Sequence, residues 1–352
     1  MEDKKRHVQE ILVLCTVACI LLDVSIVGFW RIKDPGQEEK TVLYSTDLSI
    51  DGDFDDYFDL AVMKSLDDID LKIIVDGTDS TQKQSGADAI RNLEKIEGGG
   101  YSGLADVVIG RDNNLKFLYD ADVDDKLVKL LEGAKGKIDV VTVGSLRDVA
   151  ALYNHCPDLF ENKVEKVWIF AGDAEGTMTE YNVSLDETAF LRIMNSGKRD
   201  IHWIPCFQNG IWTKGENASY FTMEHSEVFR DADPGLLLWF LYRYEKSGED
   251  FQGYILQKHD TGAFMKEMRN MWCAPLFLLI DGSMEQYWDR YCEKKGQKNR
   301  FPFGFVEKKV CFSDGGKVEW GSGNMVHVFE IYDYDEYVAL SKFILEDIFR
   351  NF

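Results

Sequence analysis

A chain of 352 residues with 45% hydrophobic content is long enough for one large α/β domain or two ordinary ones, and for a sizeable buried core. Its 62 acidic residues against 40 basic ones leave a formal charge of -22, which repels phosphate backbones and anionic membrane surfaces and argues against nucleic acid as a partner. The 7 cysteines, spread from Cys15 to Cys311, are too few and too scattered for a disulfide scaffold or a zinc cluster.

Residues 1–10 form a polar N-terminus. Residues 11–30 carry a single charge, Asp23, over the length needed to cross a bilayer, and read as a transmembrane anchor or an uncleaved signal. That reading predicts a single-pass membrane protein held through its N-terminal helix, with the folded domain outside the cytoplasm. Basic residues flank the segment on both sides, so the positive-inside rule sets almost no orientation. Residues 31–40, broken by Pro35-Gly36, read as a linker, and 41–352 as one domain without an internal boundary.

Beyond the linker, short β-rich runs alternate with amphipathic stretches, which predicts parallel βαβ units. Strands are predicted over 41–46, 71–75, 107–109, 138–143, 167–171 and 201–204, with helices over 55–66, 84–97, 122–131, 146–153 and 186–196. Residues 235–244 and 274–280 are apolar enough for buried helices. The pattern then changes to a β-hairpin, 306–312 and 317–320 around Ser313-Asp314-Gly315-Gly316, a strand over 326–331 and a closing helix over 335–349. The expected fold is an open, mostly parallel, twisted α/β sheet flanked by helices, with a C-terminal β-hairpin and helix.

The most informative stretch runs from Ser45 to Asp56. It places Asp47, Asp51, Asp53, Asp55 and Asp56 at the C-terminal end of the first strand, the edge at which open α/β sheets bind ligands. Like charges this close repel one another, and a hard cation such as Ca²⁺, with six to eight oxygen ligands, offsets the repulsion. The same residues also fit a solvated loop with Asp55 and Asp56 at the positive end of the next helix. Spacing alone does not choose between these readings, although it excludes an EF-hand. Further along, Glu180 and Asn182 lie two apart and would share a strand face, as ligands to a polyol would. Asn182-Val183-Ser184 is equally a glycosylation sequon, and Asn217-Ala218-Ser219 is the better placed of two such sequons.

Asp53-Phe54-Asp55-Asp56 resembles the longer form of the aspartate loop that opens the inosine-uridine nucleoside hydrolase family. Other segments resemble that family in its own order: Ile73-Ile74-Val75-Asp76-Gly77, Val107-Val108-Ile109-Gly110, Val141-Thr142-Val143-Gly144-Ser145-Leu146, Val167-Trp168-Ile169-Phe170-Ala171-Gly172, and Thr179-Glu180-Tyr181-Asn182 through Asp186. The resemblance implies that Asp47 binds Ca²⁺ and activates water, with Asp51 as the alternative for that place. It also implies that Asp55 and Asp56 hold ribose hydroxyls and metal, that the Val143 carbonyl completes the metal shell, and that Glu180 and Asn182 hold sugar hydroxyls.

One motif departs from the pattern. Where the family carries His-Asp-Pro-Leu, this chain has Cys273-Ala274-Pro275-Leu276, so both a metal carboxylate and a histidine beside the leaving base are missing. Trp272, just before it, would stack on a base or fill the core. His155, His202 and His225 show no ligand spacing. The function implied is Ca²⁺-dependent hydrolysis of the N-glycosidic bond of ribonucleosides or related ribosyl compounds, with a homo-oligomer left open. The alternative on the same fold is a catalytically decayed, membrane-tethered nucleoside- or sugar-binding protein. A phosphohydrolase of the haloacid-dehalogenase type ranks last, because Asp47-Leu48-Ser49 lacks that family's Asp-x-Asp at the strand end.

Overall fold

The computed structural model describes residues 39–49, 54–77, 86–96, 107–198, 200–246 and 250–352. In chain order, β1 (Lys40–Thr46) is followed by α1 (Asp55–Ser65), β2 (Ile69–Val75), α2 (Ala87–Ile96), β3 (Val107–Ile109), α3 (Asp125–Gly133) and β4 (Ile138–Thr142). Next come α4 (Arg147–His155), α5 (Pro157–Lys163), β5 (Val164–Phe170), α6 (Tyr181–Leu185), α7 (Glu187–Met194) and β6 (Ile201–Ile204). A separate antiparallel pair, β7 (Phe221–Glu224) and β8 (Met268–Met271), encloses α8 (Ser226–Phe229), α9 (Pro234–Tyr244), α10 (Phe251–Ile255) and α11 (Gly262–Met265). A 3-10 turn (Ala274–Phe277), α12 (Leu278–Asp281) and α13 (Met284–Lys295) lead to β9 (Phe303–Ser313), β10 (Lys317–Trp320), β11 (Asn324–Ile331) and α14 (Tyr334–Arg350).

The main sheet has 9 strands in the order β10-β9-β11-β6-β5-β4-β1-β2-β3. From β11 to β3 every pairing is parallel, and β9 and β10 add antiparallel edges. The mostly parallel α/β architecture and the C-terminal hairpin and helix are therefore as the sequence predicts. Successive residues of a strand point to opposite faces, and the core divides accordingly. Val42, Tyr44, Ile73 and Val75 pack into one apolar cluster, whereas Leu43, Ile74, Val140 and Ile169 pack into the other. Covering on both faces explains why these strands read as continuous apolar runs rather than alternating ones.

Strand order fixes where a ligand can sit. β1 pairs with β4 on one side and β2 on the other, so the chain reverses its direction of winding at β1. The crevice outside the C-terminal ends of β1 and β4 is the topological switch point, the usual ligand site of such sheets.

Several expectations need correction. The single-pass membrane location is one: among the described residues no helix is long and apolar enough to cross a membrane. The longest, α14, has 17 residues and carries charge along its length, short of the roughly 20 apolar residues a span needs. Residues 11–30, on which that expectation rested, lie outside the described residues, as does Asp51. The predicted helix over 274–280 divides into the 3-10 turn and α12. Asn217 is not a glycan acceptor in this fold, because it is buried and its Nδ2 donates to the Phe329 carbonyl at 2.7 Å.

Candidate functional site

Asp47 follows the last residue of β1 and is buried. Across the switch point, Val143 N–H donates to the Ser45 carbonyl at 3.0 Å, which extends the β1/β4 ladder by one residue and brings Val143-Gly144 beside Asp47. The approach is close enough to demand glycine: a Cβ on Gly144 would stand 2.6 Å from Asp47 N and 2.7 Å from Asp47 Oδ1. Behind this loop the buried Arg147 donates from Nε to Ser145 Oγ at 2.9 Å and from Nη2 to the Leu185 carbonyl at 3.3 Å, fixing the β4–α4 connection.

Asp55 and Asp56 open α1, where carboxylates suit the positive end of the helix dipole. Asp56 is buried and Asp55 half-buried. One turn on, Asp59 is 2% exposed. Burial pushes its carboxyl well above the usual range, and the Cys273 thiol, the charge of Asp47 and the Ala274 N–H also act on it. Burial likewise pushes the thiols of Cys206 and Cys273 far up, and nearby carboxylates add to the effect, which keeps both in the thiol form.

Glu180 and Asn182 do not share a strand face. Glu180 caps α6, and its carboxylate accepts from the N–H groups of Asn182 (3.0 Å), Val183 (3.3 Å) and Gly172 (2.9 Å). A side chain able to satisfy the free N–H groups of a helix start favours the helix over an extended run here. Burial raises the Glu180 carboxyl against the opposing pull of these bonds. Asn182 Nδ2 donates to the Val143 carbonyl at 2.9 Å and the Phe170 carbonyl at 3.1 Å. The structure thus joins Val143, Asn182 and Glu180 in one backbone-anchored wall, with Asp47 against its β4 side. The hairpin tip supports that wall: Gly315 and Gly316 take positive φ (75° and 68°), the Gly315 carbonyl accepts from Thr179 Oγ1 at 3.2 Å, and a Cβ on Gly316 would meet Val183.

Trp272 lies between β8 and the 3-10 turn, and its Nε1 is buried without a hydrogen-bond partner. Its ring packs with Phe207, Trp212 and Tyr220 at centroid distances of 5.9, 5.8 and 5.8 Å. Trp212 is half-exposed with φ of 60°, a conformation that disfavours bulky residues. Because Phe207 follows Cys206 and Trp272 precedes Cys273, the aromatic cluster begins where the acidic floor ends.

One gathering is invisible in the sequence. Asp200, His202 and His327 bring ligand-type atoms within 4.8 Å of one another because β11 pairs with β6 in a register that sets His327 beside His202. The two imidazoles stack at 4.5 Å with planes only 18° apart, so their in-plane lone pairs run side by side rather than converging. Burial, followed by the charge of His327, holds His202 down to about 3 and therefore neutral. No linear spacing between residues 202 and 327 signals this contact.

No family model matches the sequence, and neither does any curated protein. Among solved structures, the chain is similar to the type III effector protein XopQ complexed with adenosine diphosphate ribose, at TM-score 0.54 and 14% identity over 95% of this chain and 99% of that one. It is also similar to an inosine-guanosine nucleoside hydrolase, at TM-score 0.53 and 13% identity over 88% of this chain and 99% of that one. An inosine-uridine preferring nucleoside hydrolase from Bacillus anthracis is similar at TM-score 0.47, 14% identity, and 87% and 99% coverage. At such identities the first two establish likeness of fold alone: the chain has a nucleoside-hydrolase-like fold.

Proposed function

We propose that this chain hydrolyses the N-glycosidic bond of ribonucleosides or related ribosyl compounds, with Ca²⁺ as cofactor. The observation that carries the reading is the meeting of Asp47 with Val143-Gly144 across the switch point, and Asp55 and Asp56, which open α1, the next helix in the chain, are taken as its companions. Carboxylate and carbonyl oxygens are the donor set that a hard divalent cation takes. A buried carboxylate oxygen without a hydrogen-bond partner, Asp59 Oδ1, fits the same environment. Asp47, Asp56 and the Val143 carbonyl would hold the ion, with Asp51 as a further ligand. Bound there, Ca²⁺ would lower the pKa of a water and offset the repulsion among the carboxylates.

Asp47 serves as the general base, taking the proton from the attacking water. Asp55 binds ribose hydroxyls. Asn182 presents its side-chain oxygen to the sugar, its amide nitrogen being tied to the backbone of β4 and β5. Glu180 keeps an acceptor position on Oε1 beyond its bond from Asn182 N–H. Carboxylates facing the sugar stabilise the positive charge that develops on the anomeric carbon as the bond breaks. Trp272 and its neighbours offer a flat apolar wall for a base.

A second reading on the same site is a nucleoside- or sugar-binding protein without turnover, favoured by Cys273-Ala274 where a histidine and an aspartate would serve the leaving base and the ion. Reducing sugar released from a nucleoside panel by the purified full chain, with Ca²⁺ or with chelator, separates the two. Hydrolysis should require Ca²⁺ and fall at least about 100-fold in Asp47→Ala. Binding without release supports the second reading, and undiminished turnover in Asp47→Ala removes the assigned base.

A further inference from the structure

Where the resembled family carries an aspartate this chain has Ala274, and the Ala274 N–H is bonded to a carboxylate from a different element, Asp59 of α1. Asp59 follows Asp56 by three residues and Asp55 by four, so α1 presents all three on adjoining positions of one face. Its neighbours Phe58, Leu60, Ala61, Val62 and Met63 are fully buried apolar residues. A carboxylate in such a stretch is costly unless something pairs with it.

Its surroundings are specific. The Cys273 thiol and the Ala274 N–H lie against it, and Asp47 is the charged group that acts on it. The Oδ1 of Asp59 is buried without a hydrogen-bond partner. Its charge is also felt at Tyr44 in β1 and at Cys206, the residue before Phe207 of the aromatic cluster. Two buried carboxylates that act on each other, one of them with an oxygen that has no hydrogen-bond partner, form an arrangement that a divalent ion resolves.

We propose that Asp59 is a ligand of the cation site, taking over from α1 the carboxylate position left vacant at Ala274. The proposal rests on the Ca²⁺ reading above and gives a ligand role to a residue that is not among the ligands named there. Adding a carboxylate to an oxygen shell raises Ca²⁺ affinity, so its removal has a direct readout apart from catalysis.

The test is calorimetric titration of Ca²⁺ into the full chain, with metal-free melting curves as the folding control. Asp59→Asn keeps the shape and hydrogen-bonding capacity of the side chain while removing its charge, and should weaken Ca²⁺ binding about tenfold or more without lowering the metal-free melting temperature. Because removing a buried group can perturb packing, a second variant moves the carboxylate instead: Asp59→Ala combined with Ala274→Asp should recover most of the lost affinity. Wild-type-like binding in Asp59→Asn, within about twofold, overturns the assignment of Asp59 and leaves the cation reading standing. So does a double variant that folds and shows no recovery. Absence of Ca²⁺ binding in the wild-type chain overturns both.

Discussion

Asp148 shows how the support of the site responds to pH. It lies in the first turn of α4, is almost fully buried and accepts from Arg111 N–H at 3.1 Å. Burial raises its carboxyl from 3.8 to about 6, against the opposing pull of that bond and of the Arg147 and Arg111 charges. Between those values the folded chain holds a proton that the unfolded chain has released, so the folded state binds more protons and stability falls as pH rises. The contribution is complete below the unfolded pKa and lost once pH passes the folded one. Its size is on the order of 3 kcal/mol. Asp148→Asn keeps an acceptor for Arg111 and cannot ionise, so urea unfolding at about pH 4.5 and about pH 7.5 should show a flatter dependence than wild type. Equal slopes in the two proteins would remove Asp148 as the cause. Neither this residue nor Asp59 stands out in the sequence. Asp148 is the one acid of its helix and Asp59 sits in an apolar run behind the more conspicuous Asp55-Asp56, and only the packing of Gly110 and Cys273 against them sets them apart.

At the scale of elements, what was legible follows from local physics. The parallel strands β1, β2, β4 and β5 each contain a short apolar run, and β3 and β6 start and end at the predicted residues. The hairpin of β9 and β10 announces itself through Gly315 and Gly316, whose positive φ the turn requires. What escaped depends on distant partners: β7 and β8 pair Phe221 with Met271 and Glu224 with Met268, and nothing in either tetrapeptide alone marks a strand. Helix α6 escaped for another reason, since its start is set by the Glu180 side chain rather than by periodicity. That cap joins α6 to the end of β5 through Gly172 and thereby holds Asn182 against Val143. Glu180→Ala should lower stability by about 2 kcal/mol, the scale of a lost charged cap with several backbone donors left unpaired. Glu180→Gln, which still accepts, should lose less than half of that. Thermal melts of the three proteins decide the matter, and indistinguishable curves would mean that the cap carries no weight.

At the scale of the molecule, the fold places its excess charge and its site in the same balance. The chain carries a net -22, and self-repulsion of that size opposes the compact state until counter-ions screen it. The described core residues between Glu39 and Phe352, one compact unit, offset this with two apolar clusters on either side of the sheet. Raising monovalent salt from about 0.05 M to about 0.5 M shortens the screening length severalfold and should raise the melting temperature smoothly, whatever the cation. A specific site behaves differently. Ca²⁺ bound only by the folded chain adds RT ln(1 + [Ca²⁺]/Kd), about 2.7 kcal/mol at one hundred times Kd, which for a domain of this size is a shift of a few degrees. The two effects are separable by melting at matched ionic strength. Ca²⁺ should raise the midpoint above NaCl of equal ionic strength, and Mg²⁺ should raise it less, because it demands octahedral geometry and gives up its waters reluctantly. The Ca²⁺ increment should persist in about 0.5 M salt, where screening of the surface is already near its limit and a buried shell of oxygens is screened much less. Should the Ca²⁺, Mg²⁺ and NaCl curves superimpose at equal ionic strength, the carboxylates at the end of β1 would be answering to bulk charge alone, and the switch-point site would hold no ion.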